Sequence, residues 1–387
     1  MGLKDRLQLS YRVRRCHLTD ALVRRRVTYK PADTTQEKIA LVRLDVIGDY
    51  ILFRPYLKAI RQQKPDAHIT LIGNIIWRDY AVRWDDQFID QFIWIKKKVF
   101  YEDQKYRKRL QRIIREAGFH TILNTTYSRS LLFDDAIVRT SGAVKRLGSS
   151  GNTENTILKE KLQADTYYTQ LFEASPEVLF EYDRHFELLS QWLPSLKHPT
   201  FRAPEHFPVR RGGAYMVIFP GASEAYRCWA VEKFAEVGIK VASEKGWTVV
   251  LLGGDRERAI GETLEGLLRD AELAVINEIG ETSLPDLAER IAHAEFLLSN
   301  ETMATHLAAL YDIPTVCISN GRHRGRFNPY PEHLEKPIRY VYPPDVRDWL
   351  EQNDVVTEST YFYLKGAEVQ DLEVEEVNKV AAKLLEV

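Results

Sequence analysis

Short apolar runs recur along this chain, and most are separated by stretches long enough for a helix. In the first half they occupy residues 39–44, 69–73, 92–95 and 121–124. In the second half they occupy residues 215–219, 248–253, 274–277, 296–300 and 315–319. Runs this short, uniformly apolar and rich in Val, Ile and Leu suit strands covered on both faces, as in a parallel sheet. Between them, residues 233–245 and 284–294 carry apolar side chains at helical spacing. Strand alternating with helix predicts an α/β fold with a doubly wound, Rossmann-like sheet formed twice.

Pro194, Pro199, Pro204, Pro208, Gly212 and Gly213 cluster between the halves. Proline and glycine at that density interrupt both helix and strand, as a linker between domains requires. The expected organisation is an N-terminal arm (1–35), a first Rossmann-like domain for the acceptor (36–195) and a linker (196–213). A second Rossmann-like domain (214–340) and a helical tail (341–387) complete it. Open α/β sheets bind ligands beyond the carboxyl ends of their strands. Two such domains facing across a cleft would each contribute one binding edge.

The residues at those edges differ in kind. Phe219-Pro-Gly-Ala-Ser223, followed by Arg227-Cys-Trp229, reads as a strand, a small-residue turn and a helix carrying a hydroxyl and a cation. Free N–H groups and the positive end of a helix dipole suit a phosphate there. The earlier unit, running from Ile39 to Asp49, presents carboxylates in its turn instead. An anion site in one half and a carboxylate in the other suggest a two-lobed transferase.

Taken together, Val42-Arg-Leu-Asp-Val-Ile-Gly-Asp49, Phe219–Ser223 with Arg227 and Trp229, Leu251-Leu-Gly-Gly254 and Asn300–Leu307 resemble the family-9 glycosyltransferases. The best-known members of that family are the heptosyltransferases of the lipopolysaccharide inner core. The resemblance runs in order from about Lys38 to about Tyr330. It implies a two-Rossmann (GT-B) architecture and an inverting, metal-independent transfer, with a nucleotide sugar held mainly by the C-terminal domain. That donor is a co-substrate, with ADP the nucleotide to test first, and no metal or other cofactor is implied. The chain departs from the family in having Glu301-Thr302-Met303 where Asp-Thr-Gly is usual, and Arg227 where Lys is common.

On this reading Asp49 is the candidate general base, taking the acceptor hydroxyl proton as oxygen attacks the anomeric carbon. The bland alternative is a first-turn Asp satisfying backbone N–H groups. Asp45 in the same turn is the reserve candidate and an acceptor contact. Ser223 and Arg227 would hold the diphosphate and stabilise charge on the leaving group, since Arg offers phosphate a planar, permanently charged fork. Trp229 reads as core. Glu301 and Thr302 would contact sugar hydroxyls or ribose, or simply form an acidic helix cap. His306 is a donor contact or a satisfied core histidine. Thr282, beside Ser283, would touch the nucleotide or cap the following helix. His323, Arg324 and Arg326 form a basic loop suited to donor phosphates or an anionic acceptor, or merely to solvent. No His, Cys or Asp pair has metal-ligand spacing.

With 54 basic and 55 acidic residues, the chain as a whole has no nucleic-acid bias. The charge is uneven, however: residues 1–30 hold nine Lys or Arg against Asp5 and Asp20. Leu3, Leu7, Tyr11, Leu18 and Leu22 fall on roughly one helical face of that arm. Such a helix suits either an anionic membrane surface, where a glycolipid acceptor would lie, or docking on the protein. Three widely spaced cysteines, no apolar signal core and no run approaching roughly 18 apolar residues point to a cytoplasmic protein, peripheral on the inner membrane face at most. Two other functions fit the same scaffold: a nucleotide-sugar epimerase or hydrolase, and a non-catalytic nucleotide-sugar-binding subunit.

Overall fold

The computed structural model describes residues 3–32, 35–203, 213–322, 324–352 and 368–386, with side chains from residue 11 onward. It divides into two compact units, Met1–Ser175 with Tyr182–Pro199, and Pro176–Glu181 with Thr200–Val387. The first unit contains a parallel sheet of β1 (Lys38–Arg43), β2 (His68–Asn74), β3 (Gln91–Ile95), β4 (Thr121–Asn124), β5 (Lys145–Ser149) and β6 (Gln170–Phe172). Its spatial order is β3-β2-β1-β4-β5-β6. The second unit contains β7 (Tyr215–Phe219), β8 (Thr248–Leu251), β9 (Val275–Asn277), β10 (Phe296–Asn300), β11 (Thr315–Ile318) and β12 (Ile338–Val341). Its order, β9-β8-β7-β10-β11-β12, repeats the first, so the chain forms two Rossmann-like, doubly wound sheets, the GT-B fold.

Central strands carry the flat apolar pattern. All five residues of β7 are buried, as are the last five of β1. Three strands escape that pattern: the edge strand β6 has three residues, the edge strand β12 exposes Arg339, and β5, between β4 and β6, reads Lys-Arg-Leu-Gly-Ser. An edge strand such as β6 or β12 has a neighbour on one side only and less apolar demand, and β5 begins with two polar residues, so periodicity does not find them. The helix Val231–Lys245 starts two residues earlier than its spacing suggests and ends on Gly246 at φ +67°, where glycine adopts the left-handed turn without a Cβ clash. The tail helix Val374–Leu385 buries Val377 and Ala381 in the core of the second unit.

The arm forms one helix, Leu3–Arg26, docked on the first unit. Asp20 is buried and accepts two hydrogen bonds from Arg107, at 2.7 and 2.6 Å. Cys16 and Val23 pack beside it, whereas Tyr11, Leu18 and Leu22 are 61%, 63% and 43% exposed. The docked face is therefore the polar-centred one, and Tyr11, Leu18 and Leu22 of the apolar stripe point away from the protein; the side chains of Leu3 and Leu7 lie outside the described residues. No described helix is long and apolar enough to cross a membrane.

Candidate functional site

In each sheet the strand order reverses beside the first strand, between β1 and β4 and again between β7 and β10. Loops leaving such a pair diverge to opposite faces and open a crevice at the carboxyl ends. Every strong sequence candidate lies on those loops.

At the first crevice, β1 ends in Arg43 and the helix Ile47–Phe53 begins with Asp49 in its first turn. Arg43 is fully buried. Its guanidinium donates to the Thr125 carbonyl at 2.8 Å and the Asp49 carbonyl at 3.2 Å, and Nε lies 3.3 Å from the Asp45 carboxylate. One cation thus fixes the turn that carries both aspartates. Asn74 and the Trp77 indole each donate to the Asp45 carbonyl at 3.2 Å. Beneath the helix, Tyr50 stacks on Trp77 at 3.9 Å and donates to Asp85 at 2.6 Å. Arg54 pairs with the same buried carboxylate at 2.8 Å.

Residues 124–155 are polar and carry no recognisable motif, yet many of them turn inward. Asn124, Thr125, Thr126, Ser128, Arg129, Asp134 and Asp135 are all at most 5% exposed, and residues Asp134–Ser141 form a helix. Thr126 donates to the Asp45 carboxylate at 3.2 Å, and its N–H reaches the Asn124 side-chain oxygen at 3.1 Å. Asn124 Nδ2 in turn donates to Asp134 at 3.0 Å and to the Tyr168 hydroxyl at 2.9 Å. Tyr168 donates to Asp135 at 2.5 Å, and Arg129 pairs with Asp135 at 3.0 Å and also with Asp165. Burial and the neighbouring Asp135 charge push the Asp134 carboxyl up to about 7, with a smaller contribution from Asp45.

At the second crevice, the turn after β7 is held by Asn300 at the end of β10. Its amide donates to the Pro220 carbonyl at 2.6 Å and accepts from the Trp229 N–H at 3.0 Å. Gly221 passes so close to Glu257 that a Cβ would lie 2.5 Å from its Cγ, which explains the glycine. Arg227 sits at the end of a short 3-10 turn, donating to Ser223 Oγ at 3.2 Å and to the Glu301 carbonyl at 2.9 Å. Its guanidinium also lies 3.2 Å from the Glu301 carboxylate, which accepts from Ser319 as well. Thr302 caps the helix Met303–Leu310 by accepting from the Ala304 N–H.

The remaining candidates vary. His306 is 8% exposed and bonds the Tyr330 hydroxyl at 2.8 Å. Ser283 caps the helix Leu284–Ala292, while the Thr282 hydroxyl is buried without a hydrogen-bond partner among the described residues. Arg324 donates to Tyr342, and Arg326 pairs with Glu181 at 2.8 Å. Arg322, in the same basic loop, donates to the Tyr226 hydroxyl at 2.6 Å beside Arg227. His323 lies outside the described residues. Trp229 is 3% exposed in the core of the second unit.

Comparison with known proteins adds independent information. The model of glycosyltransferase family 9 (heptosyltransferase) matches residues 107–338, more than half of the chain. The chain belongs to glycosyltransferase family 9. It is similar to lipopolysaccharide heptosyltransferase 3 of Escherichia coli K12, at 22% identity over 297 residues, covering 74% of this chain and 83% of the relative. Lipooligosaccharide heptosyltransferase 2 of Campylobacter jejuni is 22% identical over 277 residues, covering 70% and 77%. Among solved structures, a family 9 glycosyltransferase from Veillonella parvula superposes with a TM-score of 0.68 at 17% identity, over 90% of this chain and 97% of that one. The E. coli heptosyltransferase WaaC with ADP gives 0.67 at 15% identity, over 90% and 99%.

In this family 9 glycosyltransferase the longer Glu301 side chain spans from Arg227 to Ser319. The residues that sequence reading missed, Arg43, Asn124, Thr126, Asp134 and Asn300, are mostly buried polar side chains that hold the candidates in place. Their one sequence signal is position: Arg43, Asn124 and Asn300 are polar residues ending otherwise apolar strands.

Proposed function

We propose that this glycosyltransferase moves a sugar, with heptose the first to test, from a nucleotide-sugar donor to a hydroxyl of a bacterial surface glycan or lipid-linked saccharide. The observation that carries the proposal is the pairing of chemistry with topology. The switch point of the first sheet carries Asp49 and Asp45 on a turn fixed by Arg43, and that of the second carries Arg227 and Ser223.

In the reaction, Asp49 accepts the acceptor hydroxyl proton while the oxygen bonds to the anomeric carbon. The bond from that carbon to the diphosphate oxygen breaks, and the leaving nucleoside diphosphate keeps the electron pair. Attack from the face opposite the phosphate inverts the anomeric centre. Arg227 and Ser223 stabilise the departing charge, a task that a guanidinium can carry without a metal. Glu301, Thr302, His306 and Thr282 surround the donor, and Asp45, Arg324 and Arg326 contact the acceptor or its anionic groups. The heptosyltransferases among its relatives, one solved with ADP, support an ADP-linked donor. The acidic Glu301 and bulky Met303 at the sugar-facing turn bear on which sugar is chosen.

The enzyme works in the cytoplasm, at the inner face of the membrane. Tyr11, Leu18 and Leu22, flanked on the exposed face by Arg14, Arg15, Arg25 and Arg26, support contact with an anionic lipid surface.

The test is product analysis by mass spectrometry with ADP-heptose, other nucleotide sugars and glycan acceptors, with and without EDTA. Asp49→Asn should abolish transfer and leave nucleotide binding within about twofold, a difference under roughly 0.5 kcal/mol. Undiminished turnover in that variant would remove Asp49 as base. Sugar release that needs no acceptor would replace transfer with hydrolysis or epimerisation.

A further inference from the structure

The buried carboxyl of Asp134 is held differently from that of Asp85, which bonds the Arg54 guanidinium. Both hydrogen bonds it receives, from the Asn124 amide and the Ser130 N–H at 3.0 Å each, land on Oδ2. That leaves Oδ1 as the atom to carry a proton. The charged or titratable groups around Asp134 are known from each element that packs there. Asp135 follows it on the same helix, Arg129 pairs with Asp135 from the loop after β4, and Tyr168 precedes β6. Asp165 lies beyond Arg129, and Asp45 lies across Thr126 after β1. Arg129 is claimed by two other carboxylates, so no cation pairs with Asp134 among the described residues. An unpaired charge in such surroundings is strongly disfavoured against a bound proton.

We propose that Asp134 is a positioning residue for the acceptor side: its carboxyl holds a proton, and Asn124 and Thr126 transmit its protonation state to the turn that carries Asp45. The path is Asp134, Asn124, Thr126, Asp45, Arg43 and then the Asp49 carbonyl. When Asp134 loses its proton, a negative charge appears behind the turn that carries Asp45. Asn124 is pulled toward Asp134, its bond to the Thr126 N–H weakens, and the turn bearing Asp45 and Asp49 loses a support. The inference rests on the reading of Asp49 and Asp45 as acceptor-side residues. Its consequence is a loss of transfer at alkaline pH that belongs to Asp134 rather than to the base.

Two measurements on the full chain test it. The first needs no activity: thermal unfolding of wild type and Asp134→Asn between pH 5 and pH 8. Asn at this position mimics the protonated acid and can accept the same two hydrogen bonds. A carboxyl raised from 3.8 to about 7 on folding stabilises the protein fully below its unfolded value, and loses that contribution as pH rises through about 7. The variant should therefore gain on wild type as pH rises, and a difference that stays constant across the range overturns the proposal. The second is the pH profile of kcat/KM for transfer. Wild type should decline above neutral pH, and that decline should vanish in Asp134→Asn. Thr126→Val should keep the pH-dependent melting of wild type yet lose the decline in rate, and it decides the matter if the Asn variant does not fold. A decline that persists in both variants overturns the positioning role. Absence of transfer in wild type would refute the glycosyl-transfer reading instead, and the melting comparison would still decide the protonation of Asp134.

Discussion

Arg227 and Glu301 form a pre-assembled pair: one guanidinium nitrogen lies 2.9 Å from the Glu301 carbonyl and 3.2 Å from its carboxylate. The carbonyl fixes the direction of the fork, and the carboxylate compensates its charge. A bound diphosphate would compete with that carboxylate for the same donor. Charged hydrogen bonds are worth about 1.5–3 kcal/mol each, so Arg227→Ala should weaken nucleoside diphosphate binding roughly 10- to 100-fold. Arg227→Lys should recover only part, because an ammonium cannot reproduce the fork. Calorimetric titration with ADP measures both, and an unchanged dissociation constant for the Ala variant would exclude Arg227 from the donor site.

Cys228 adjoins Arg227 and is partly exposed, whereas Cys16 and Cys317 are fully buried. Burial raises the Cys228 thiol above its ordinary value, so its reaction with maleimide should be slow but selective. We expect one modified cysteine per native chain, and protection of it by saturating nucleotide. Peptide mapping after labelling checks both points. Labelling that nucleotide does not slow would place the ligand away from this turn.

Beneath the Asp49 helix, Arg54 and Asp85 are 1% and 0% exposed and are bonded at 2.8 Å, with Tyr50 and Tyr80 completing the set. Removing one member strands the other charge in the interior. Asp85→Ala should destabilise the first unit by about 3–5 kcal/mol. Calorimetric melting should show the first unit's transition shifted down and the second unit's transition in place. A shift of both would mean that the two units unfold together.

The outward face of the N-terminal helix gives a surface prediction. Four arginines at about 1 kcal/mol each near an anionic surface, with Tyr11, Leu18 and Leu22 between them, should hold the enzyme on vesicles containing phosphatidylglycerol. Leu18→Glu with Leu22→Glu should abolish sedimentation with those vesicles while leaving nucleotide binding intact. Co-sedimentation that survives both substitutions would assign the interaction to another surface.

How much of this was legible from sequence follows from what each residue has to satisfy. Buried central strands such as β1 and β7 must be apolar on both faces, and a phosphate-binding turn must be small, so both stand out in one dimension. The polar strand β5 and the inward-turned residues 124–135 do not, because their hydrogen-bond partners lie on other elements. Thr126 and Asp45 are 81 positions apart, and Arg227 and Glu301 are 74 apart.

The N-terminal arm divides the two kinds of information most clearly. Its charge and apolar stripe are properties of the sequence alone, and they gave two equal readings, membrane or docking. The structure decided that the helix docks through Asp20 on Arg107, because a buried carboxylate needs a cation that only the folded first unit supplies. That choice leaves Tyr11, Leu18 and Leu22 outward. By itself the sequence determined that two parallel sheets form, located nine of their twelve described strands and set the chemical character of each turn. Tertiary structure alone decided which polar side chains meet at those turns, because ion pairs and hydrogen bonds depend on distance in space and carry no periodic trace along the chain.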